Sequence, residues 1–244
     1  MEFAEFKKSC IDIFSANPTI SQPGDEQISK LYQLTQIMLE VNKTMNLTAI
    51  KEENAIILRH YVDSLAVSDY IPQGAKIIDV GCGAGFPTLP LAIFRPDLSI
   101  TALDSTAKRI NYVSETANKL GLTNVTAIAE RAEALGNDSS YRESFDIATA
   151  RAVAALPILT ELCLPFVKLG GKFIAMKAAK ADDELALASN AIKRCGGSVD
   201  KDDKIILHSP FAQDEQRAIV SITKVSKTPK DLPRHFSKIS KHPL

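Results

Sequence analysis

The sequence predicts an α/β protein, a mostly parallel seven-stranded sheet wound with helices on both faces, closed by an antiparallel final strand and preceded by a helical N-terminal extension. Three observations predict it. Five short apolar runs alternate with helical windows from Lys76 onward, the order of a parallel sheet with crossover helices. Two further apolar runs near the end, "KIILHSP" and "QRAIVSITKV", are joined by too few residues for a crossover helix and so suggest an antiparallel pair at the sheet edge. Before Lys76 the apolar residues recur every three or four positions, the period of an amphipathic helix.

Taken in order, "DEQISKLYQLTQIMLEVN" places Ile28, Leu31, Leu34, Ile37, Met38 and Val41 on one helical stripe, opened by Pro23, Gly24 and Asp25. "EENAIILRHYVDSLAVSDYI" repeats the pattern through Ile56, Ile57, His60, Leu65 and Val67 until Pro72 and Gly74 stop it. The strands that follow are "KIIDV", "SITAL", "NVTAIA", "FDIATA" and "GKFIAM", and "AKRINYVSETANKLGL" and "ALPILTELCLPFVKLGG" are two of the helical windows between them. A further helix is expected near Asp182 to Lys193. The organisation expected is a helical extension over residues 1–72 packed on the core, a main domain over 73–226 and a basic C-terminal tail over 227–244.

Composition sets the outer limits. The chain has 244 residues, is 45% hydrophobic, and balances 29 basic against 29 acidic residues, as an ordinary globular protein with a full core does. No apolar run approaches the roughly 20 residues that span a bilayer, and "MEFAEFKKSC" lacks signal-peptide order, so a cytoplasmic location is expected. Cys10, Cys82, Cys163 and Cys195 are scattered without metal-ligand spacing and read as buried thiols, with no metal site expected. The neutral average hides a basic end: Lys224, Lys227, Lys230, Arg234, Lys238 and Lys241 face one acid, Asp231. Such a run is a candidate polyanion contact, or a solvated flexible end.

The stretch "KIIDVGCGAGFPTLPLAI" carries the chemistry. A strand ends at Asp79, and Gly81, Gly83 and Gly85 follow at alternate positions, so backbone amides can approach a ligand closely. The next strand ends at Asp104, followed by Ser105, about 20 residues on, where a carboxylate can take both ribose hydroxyls. A dinucleotide fingerprint wants glycine where Phe86 stands. S-adenosylmethionine has no phosphate and carries an ammonium, so Asp79 before the glycines is useful and Phe86 after them is allowed. The glycines, Asp104 and the antiparallel ending together point to a Rossmann-like S-adenosylmethionine-dependent methyltransferase, against the plainer reading of turn glycines alone. In this fold the turn holding Arg131, Ala132 and Glu133 passes the adenine, although "RAEAL" from spacing alone is equally a surface helix start.

The fourth strand narrows the reaction. It ends in "FDIATARAVAAL", without the N-P-P-Y or D-P-P-Y that exocyclic-amine methylation uses, and Cys163 sits inside the next helical window, poorly placed for cytosine-C5 chemistry. Arg151 occupies the site end of that strand instead. A guanidinium is no base at neutral pH but holds a phosphate, a carboxylate or a base edge. Guanine N7 needs no base, because its lone pair is free and in-line attack requires alignment above all. Lys177 is a further cation at the same rim, and His60 is a core histidine or a weaker site candidate.

Several separate motifs in order carry a resemblance: "MNLTAI", "RHYVDSLA", "DVGCGAGFPTLPLAI", "LDSTAKRINYV", "ERAEAL", "ARAVAAL", "GGKFIAMKA" and "LPRHFSKISKHPL". The chain resembles the bacterial small-subunit rRNA guanine-N7 methyltransferases, the glucose-inhibited division protein B family, over nearly its whole length after residue 40. The resemblance implies methyl transfer from S-adenosylmethionine to guanine N7 in a loop of 16S rRNA near the decoding site. It implies cofactor contacts at Gly81, Phe86, Ala132, Glu133 and Arg151, with Asp104 on the ribose. Arg131, Arg151 and Lys177 are the candidate catalytic residues, expected on the rRNA side of the cleft. Thr88 stands where the family usually has glycine, and its hydroxyl is expected to cap helix amides. A small-molecule methyltransferase and a cofactor-binding ribosome assembly factor without turnover are the other readings. A monomer is the default expectation.

Overall fold

The structure, a computed structural model, describes residues 1–178 and 181–244. Two long helices open the chain, α1 (Phe3–Ser15) and α2 (Asp25–Met45). A second helical run follows as α3 (Glu53–Ile56), a π-helical stretch at Ile57–Val62 and α4 (Asp63–Leu65). The sheet then builds through β1 (Lys76–Val80), α5 (Thr88–Phe94), β2 (Ser99–Asp104), α6 (Ala107–Lys119), β3 (Val125–Ala129), α7 (Ala132–Leu135) and β4 (Phe145–Arg151). It closes through α8 (Leu156–Cys163), β5 (Val167–Ala178), α9 (Ala181–Arg194), β6 (Gly197–Leu207), β7 (Glu215–Lys224) and α10 (Phe236–Lys241).

The spatial order is β3-β2-β1-β4-β5-β7-β6. The strands β1 to β5 pair in parallel, while β7 inserts between β5 and β6 antiparallel to both. The seven strands and the antiparallel last one are those the sequence predicts. The order reverses between β1 and β4, so their carboxyl ends splay apart into the crevice where such sheets bind ligands.

The sheet divides the core by its period of two. Ile77, Ile100, Ile147 and Ile174 face one layer, with α1, α2, the π-helical run, α5 and α6. Ile78, Leu103, Ala148 and Phe173 face the other, with α8 and α9. The helices of residues 1–72 share the first layer with the sheet, and Phe14 of α1 stacks on Phe94 of α5 at 5.9 Å.

Two boundaries differ from the sequence reading. The window "ALPILTELCLPFVKLGG" is α-helical only to Cys163 and continues as a 3-10 turn over Leu164–Phe166, after which Val167 already pairs with Phe145. Gly171 is required there, since a Cβ would lie 2.5 Å from the Asp146 carbonyl oxygen. The strand β6 starts at Gly197, before the apolar run, because an edge strand exposed to solvent carries polar residues such as Asp200 and Lys201 without an apolar alternation.

The basic end is not a free tail. Lys224 is fully buried, its ammonium donating to the Leu164 carbonyl and to Thr228 Oγ1 and lying 3.4 Å from Glu143. Burial pulls its pKa down to about 8, against the opposing charge of Glu143. Arg142 donates to the carbonyls of Leu232, Thr228 and Pro229, and Leu232 and Ile239 are buried. Arg234 grips the fully buried Glu161 through Nε at 2.8 Å and Nη2 at 2.6 Å, and its backbone amide adds a third bond. The segment is a strap against α8, leaving Lys227, Lys230, Lys238 and Lys241 exposed.

Removing one partner of a buried pair leaves an uncompensated charge, at a cost of about 3 kcal/mol. Arg234→Ala is therefore expected to lower unfolding stability by about that amount in urea titrations. A loss below about 1 kcal/mol would mean that the strap is not anchored through Glu161.

Candidate active site

A cavity of about 420 Å³ opens at the reversal point of the sheet. The turn after β1 forms its floor. Gly81, Gly83 and Gly85 have φ of +76°, +55° and +86°, the left-handed region that side chains resist, so glycine is needed for the turn. Gly81 is also pressed by a neighbour: a Cβ there would lie 2.6 Å from Val153. The amides of Gly81 and Cys82 donate to the Leu103 carbonyl, which ties the turn to β2.

Asp104 stands at the end of β2. Its oxygens accept from Thr106 N at 2.8 Å and Gly83 N at 3.1 Å, and Arg109 lies 3.7 Å away. Each carboxylate oxygen offers two acceptor positions, so hydroxyl donors can still be taken. Ser105, Thr106, Arg131, Ala132 and Glu133 continue the wall. Arg131 lies exposed over the Phe236 ring, 5.4 Å from its centroid, and Glu133 accepts from Phe236 N at 3.3 Å. Phe236, carried in by the C-terminal strap, thus joins the cavity wall.

Of the residues expected at the cofactor, Gly81, Gly83, Phe86, Asp104, Ser105, Ala132, Glu133 and Arg151 line this cavity, as does Arg131, expected on the rRNA side. Asp79 and Gly85 lie elsewhere. Gly85 sits at the helix entry, where a Cβ would meet Leu89 at 2.6 Å. Asp79 is fully buried beneath the loop, accepting from Thr88 Oγ1 at 2.7 Å and Thr149 Oγ1 at 3.4 Å. The expectation that Asp79 meets an ammonium in the cavity is corrected to that of a buried tie between the glycine turn, α5 and β4. The expected Thr88 cap is corrected with it, since the hydroxyl donates to Asp79 rather than receiving helix amides. Burial pushes the Asp79 pKa up to about 6, with the Thr88 bond and the Arg151 charge pulling the other way.

A second recess adjoins the cavity and shares His60, Arg151 and Ala152 with it. Ala152 has φ +54°, a strained turn at the end of β4 from which Arg151 meets the helical run. Its Nη1 donates to the Arg59 carbonyl and to Asp63 Oδ2, both at 2.8 Å. Asp63 Oδ1 also accepts from Arg217 Nε at 3.1 Å, and Glu215 binds Arg217 at 2.6 Å and Arg59 at 2.5 Å. The Arg217 pKa rises although burial works against it, because Asp63 and Glu215 outweigh the burial. Lys177 lies here and not in the first cavity, donating to the Ala154 carbonyl at 2.9 Å and paired with Glu184 at 2.7 Å.

His60 separates the two spaces. It stacks on Phe86 with centroids 4.4 Å apart and planes 9° from parallel, while the Arg151 guanidinium lies 5.3 Å from the same phenyl ring. Thr48 Oγ1 is 3.0 Å from Nε2, and Arg151 Nη2 is 3.4 Å from Nδ1. Burial, then the Arg151 charge, pulls its pKa down to about 3, so the imidazole is neutral. Arg59 and His60 belong to the π-helical stretch, and both line the recess together with Asp63 directly after it.

The model of the GidB family, described as rRNA small subunit methyltransferase G, matches residues 27–206. The chain belongs to this family. Ribosomal RNA small subunit methyltransferase G of Clostridium beijerinckii is 41% identical over 94% of this chain and 96% of its own. The protein of that name from Limosilactobacillus reuteri is 44% identical over 90% of this chain and 92% of its own. Among solved structures, precorrin-6y C5,15-methyltransferase from Geobacter metallireducens covers 75% of this chain and 93% of its own at a TM-score of 0.50 and 15% identity. The YcgJ protein of Bacillus subtilis covers 67% and 98% at a TM-score of 0.50 and 14% identity. At those identities the likeness is one of fold.

Family membership makes the chain an rRNA methyltransferase with S-adenosylmethionine as methyl donor. The cavity fits that donor: Gly81 and Gly83 line it without side chains, and Asp104 retains acceptor capacity for ribose hydroxyls. Sequence reasoning missed Thr48, Arg59, Asp63, Arg217 and Phe236. Thr48, Arg59 and Asp63 lie inside motifs that were visible, but a motif does not say which of its side chains turn inward.

An acid whose folded pKa is raised adds stability below its unfolded value, near 3.9, and loses it as pH rises through about 6. Asp79→Asn should therefore gain stability relative to the parent as pH goes from 4 to 6, and the difference should be level above pH 7. Urea midpoints of both proteins across that range test this. A difference independent of pH would show that Asp79 does not titrate there.

Proposed function

We propose that this protein methylates N7 of a guanine in 16S rRNA, in a loop near the decoding site, and acts as a monomer. The observation that carries the reading is the cation-lined recess beside the cofactor cavity, formed by Arg59, Arg151, Lys177 and Arg217. Guanine presents O6 beside N7, and an arginine N–H given to O6 or to a flanking phosphate holds the base edge while leaving the N7 lone pair free to attack the methyl. S-adenosylmethionine supplies an electrophilic methyl group on a sulfonium centre. The protein's part is then to hold the acceptor edge in line with that methyl and to keep water from competing.

No general base is needed for N7, and the recess offers a poor one. His60, with its pKa near 3, cannot hold a proton at neutral pH. The carboxylates Asp63, Glu184 and Glu215 are all committed to cations. Arg151 fits as the residue that orients the acceptor, because it lines both spaces and rests over Phe86. Its position is fixed by Asp63 and the Arg59 carbonyl. Exposed lysines of the C-terminal strap add a sequence-independent attraction for phosphates.

Labelled S-adenosylmethionine incubated with rRNA from a strain lacking the modification tests the reading, and label at guanine N7 is the expected result. No label in free 16S rRNA or in small subunits would sink it, and comparing the two substrates identifies the acceptor form. Arg151→Ala should lower single-turnover transfer at least about 100-fold while the fold persists, because Asp63 keeps Arg217 as a partner. Between pH 7 and 9 the single-turnover rate should be flat. A rise across that range with an apparent pKa would point to a general base and against N7 as the acceptor.

A further inference from the structure

The loop joining β6 to β7 carries Phe211 at half exposure, and it is braced rather than slack. His208 Nδ1 lies 2.7 Å from Asp214 Oδ2, and the Ser209 amide donates to the other Asp214 oxygen at 3.2 Å. Ser209 Oγ accepts from Phe211 N at 3.2 Å. Asn17, two residues past the end of α1, donates to the His208 carbonyl at 2.8 Å and accepts from His208 N at 2.9 Å. The loop therefore holds a large apolar ring out to solvent at a fixed place. Covering such a ring with another flat apolar face is favourable.

Beneath the ring is a recess of about 150 Å³ lined by Asn54, Leu58, Arg59, Phe211 and Glu215 among others. Arg59 also lines the cation-rich recess, so the two spaces adjoin on either side of its side chain. The Asn54 backbone amide is used by Glu52 in the first turn of α3, whereas its side-chain Oδ1 is buried without a hydrogen-bond partner. A buried acceptor without a donor costs stability, and a ligand N–H would satisfy it. An aromatic platform, an adjacent arginine and an acceptor for an amine together match an unpaired nucleobase, which has a π face and, in adenine, cytosine or guanine, an exocyclic amine.

We propose that this recess is a subsite for an unpaired base flanking the methylated guanine, stacked on Phe211, with Asn54 Oδ1 accepting from its exocyclic amine. This rests on rRNA being the acceptor. The RNA strand then runs from the cofactor cavity past Arg151 and Arg59 to the β6–β7 loop.

The test measures RNA affinity and single-turnover methylation with S-adenosylmethionine present. Phe211→Ala should weaken RNA binding about tenfold or more, the range of one base–aromatic stack, with the loss in affinity rather than in the maximal rate. Phe211→Trp should retain binding. Substrates with each flanking nucleotide made abasic in turn should reveal one position where the parent protein loses a similar factor and Phe211→Ala loses nothing further. RNA affinity of Phe211→Ala within twofold of the parent, or abasic losses identical in both proteins at every position, would overturn the subsite. A parent protein that places no label in rRNA at all would instead refute the acceptor assignment. If Phe211→Ala fails to fold, the Trp variant and the abasic series still decide the matter, since loss of binding in the Trp variant or no sensitive flanking position in the parent counts against the proposal.

Discussion

The pairing of Arg151 with Asp63 is the contact around which the site is arranged. It joins the end of β4 to the helical run that precedes the sheet, at 2.8 Å and largely out of water. Two charges buried together demand that their remaining bonding positions be filled, and here the Arg59 carbonyl and Arg217 fill them. Each of those partners comes from a different element, so the pair fixes the helical run, β4 and β7 relative to one another. The recess exists because these three elements meet without closing. Its excess of cations over acids follows from the same chain of pairs: Asp63 and Glu215 serve Arg59, Arg151 and Arg217 among them.

The cofactor side is held by a different buried carboxylate. Asp79 ties the strand before the glycine turn to Thr88 of α5 and Thr149 of β4, so the turn rests on a polar knot rather than on packing alone. The Thr88 hydroxyl supplies one of the bonds in that knot. The far wall depends on the C-terminal strap. Lys224 and Arg234 anchor it inside the protein, and Phe236 arrives against Arg131 and Glu133 as a result. Residues that look like a polyanion-binding tail thus divide into anchors and exposed lysines, and only burial separates the two groups.

Much of this was legible in the chain. The parallel strands are near-continuous apolar runs because both faces are covered, so their number and order could be read. The glycine turn, Asp104 and Arg151 could be placed because strand ends in such a sheet share one rim. Less legible was the edge strand β6, whose solvent exposure removes the apolar signal, and the start of β5, where helix and strand periods meet at Pro165. The inward turn of Asp63 was invisible because Asp in "RHYVDSLA" reads as a solvated helix residue until Arg151 and Arg217 are found beside it.

The sequence by itself determined the class of fold, the cofactor and the kind of acceptor chemistry, because these depend on local features: strand periodicity, a turn that only glycine can make, and a strand end without a base. Tertiary structure alone decided which carboxylates face the ligand and which are buried. Asp79, one residue before the end of β1, and Asp104, the last of β2, lie near the same rim, yet one is sealed beneath the turn and the other lines the cavity. The difference lies in what packs around each, the Thr88 and Thr149 hydroxyls over Asp79 and only backbone amides and a distant Arg109 at Asp104. Those neighbours come from places far apart in the chain, and no local pattern carries that information.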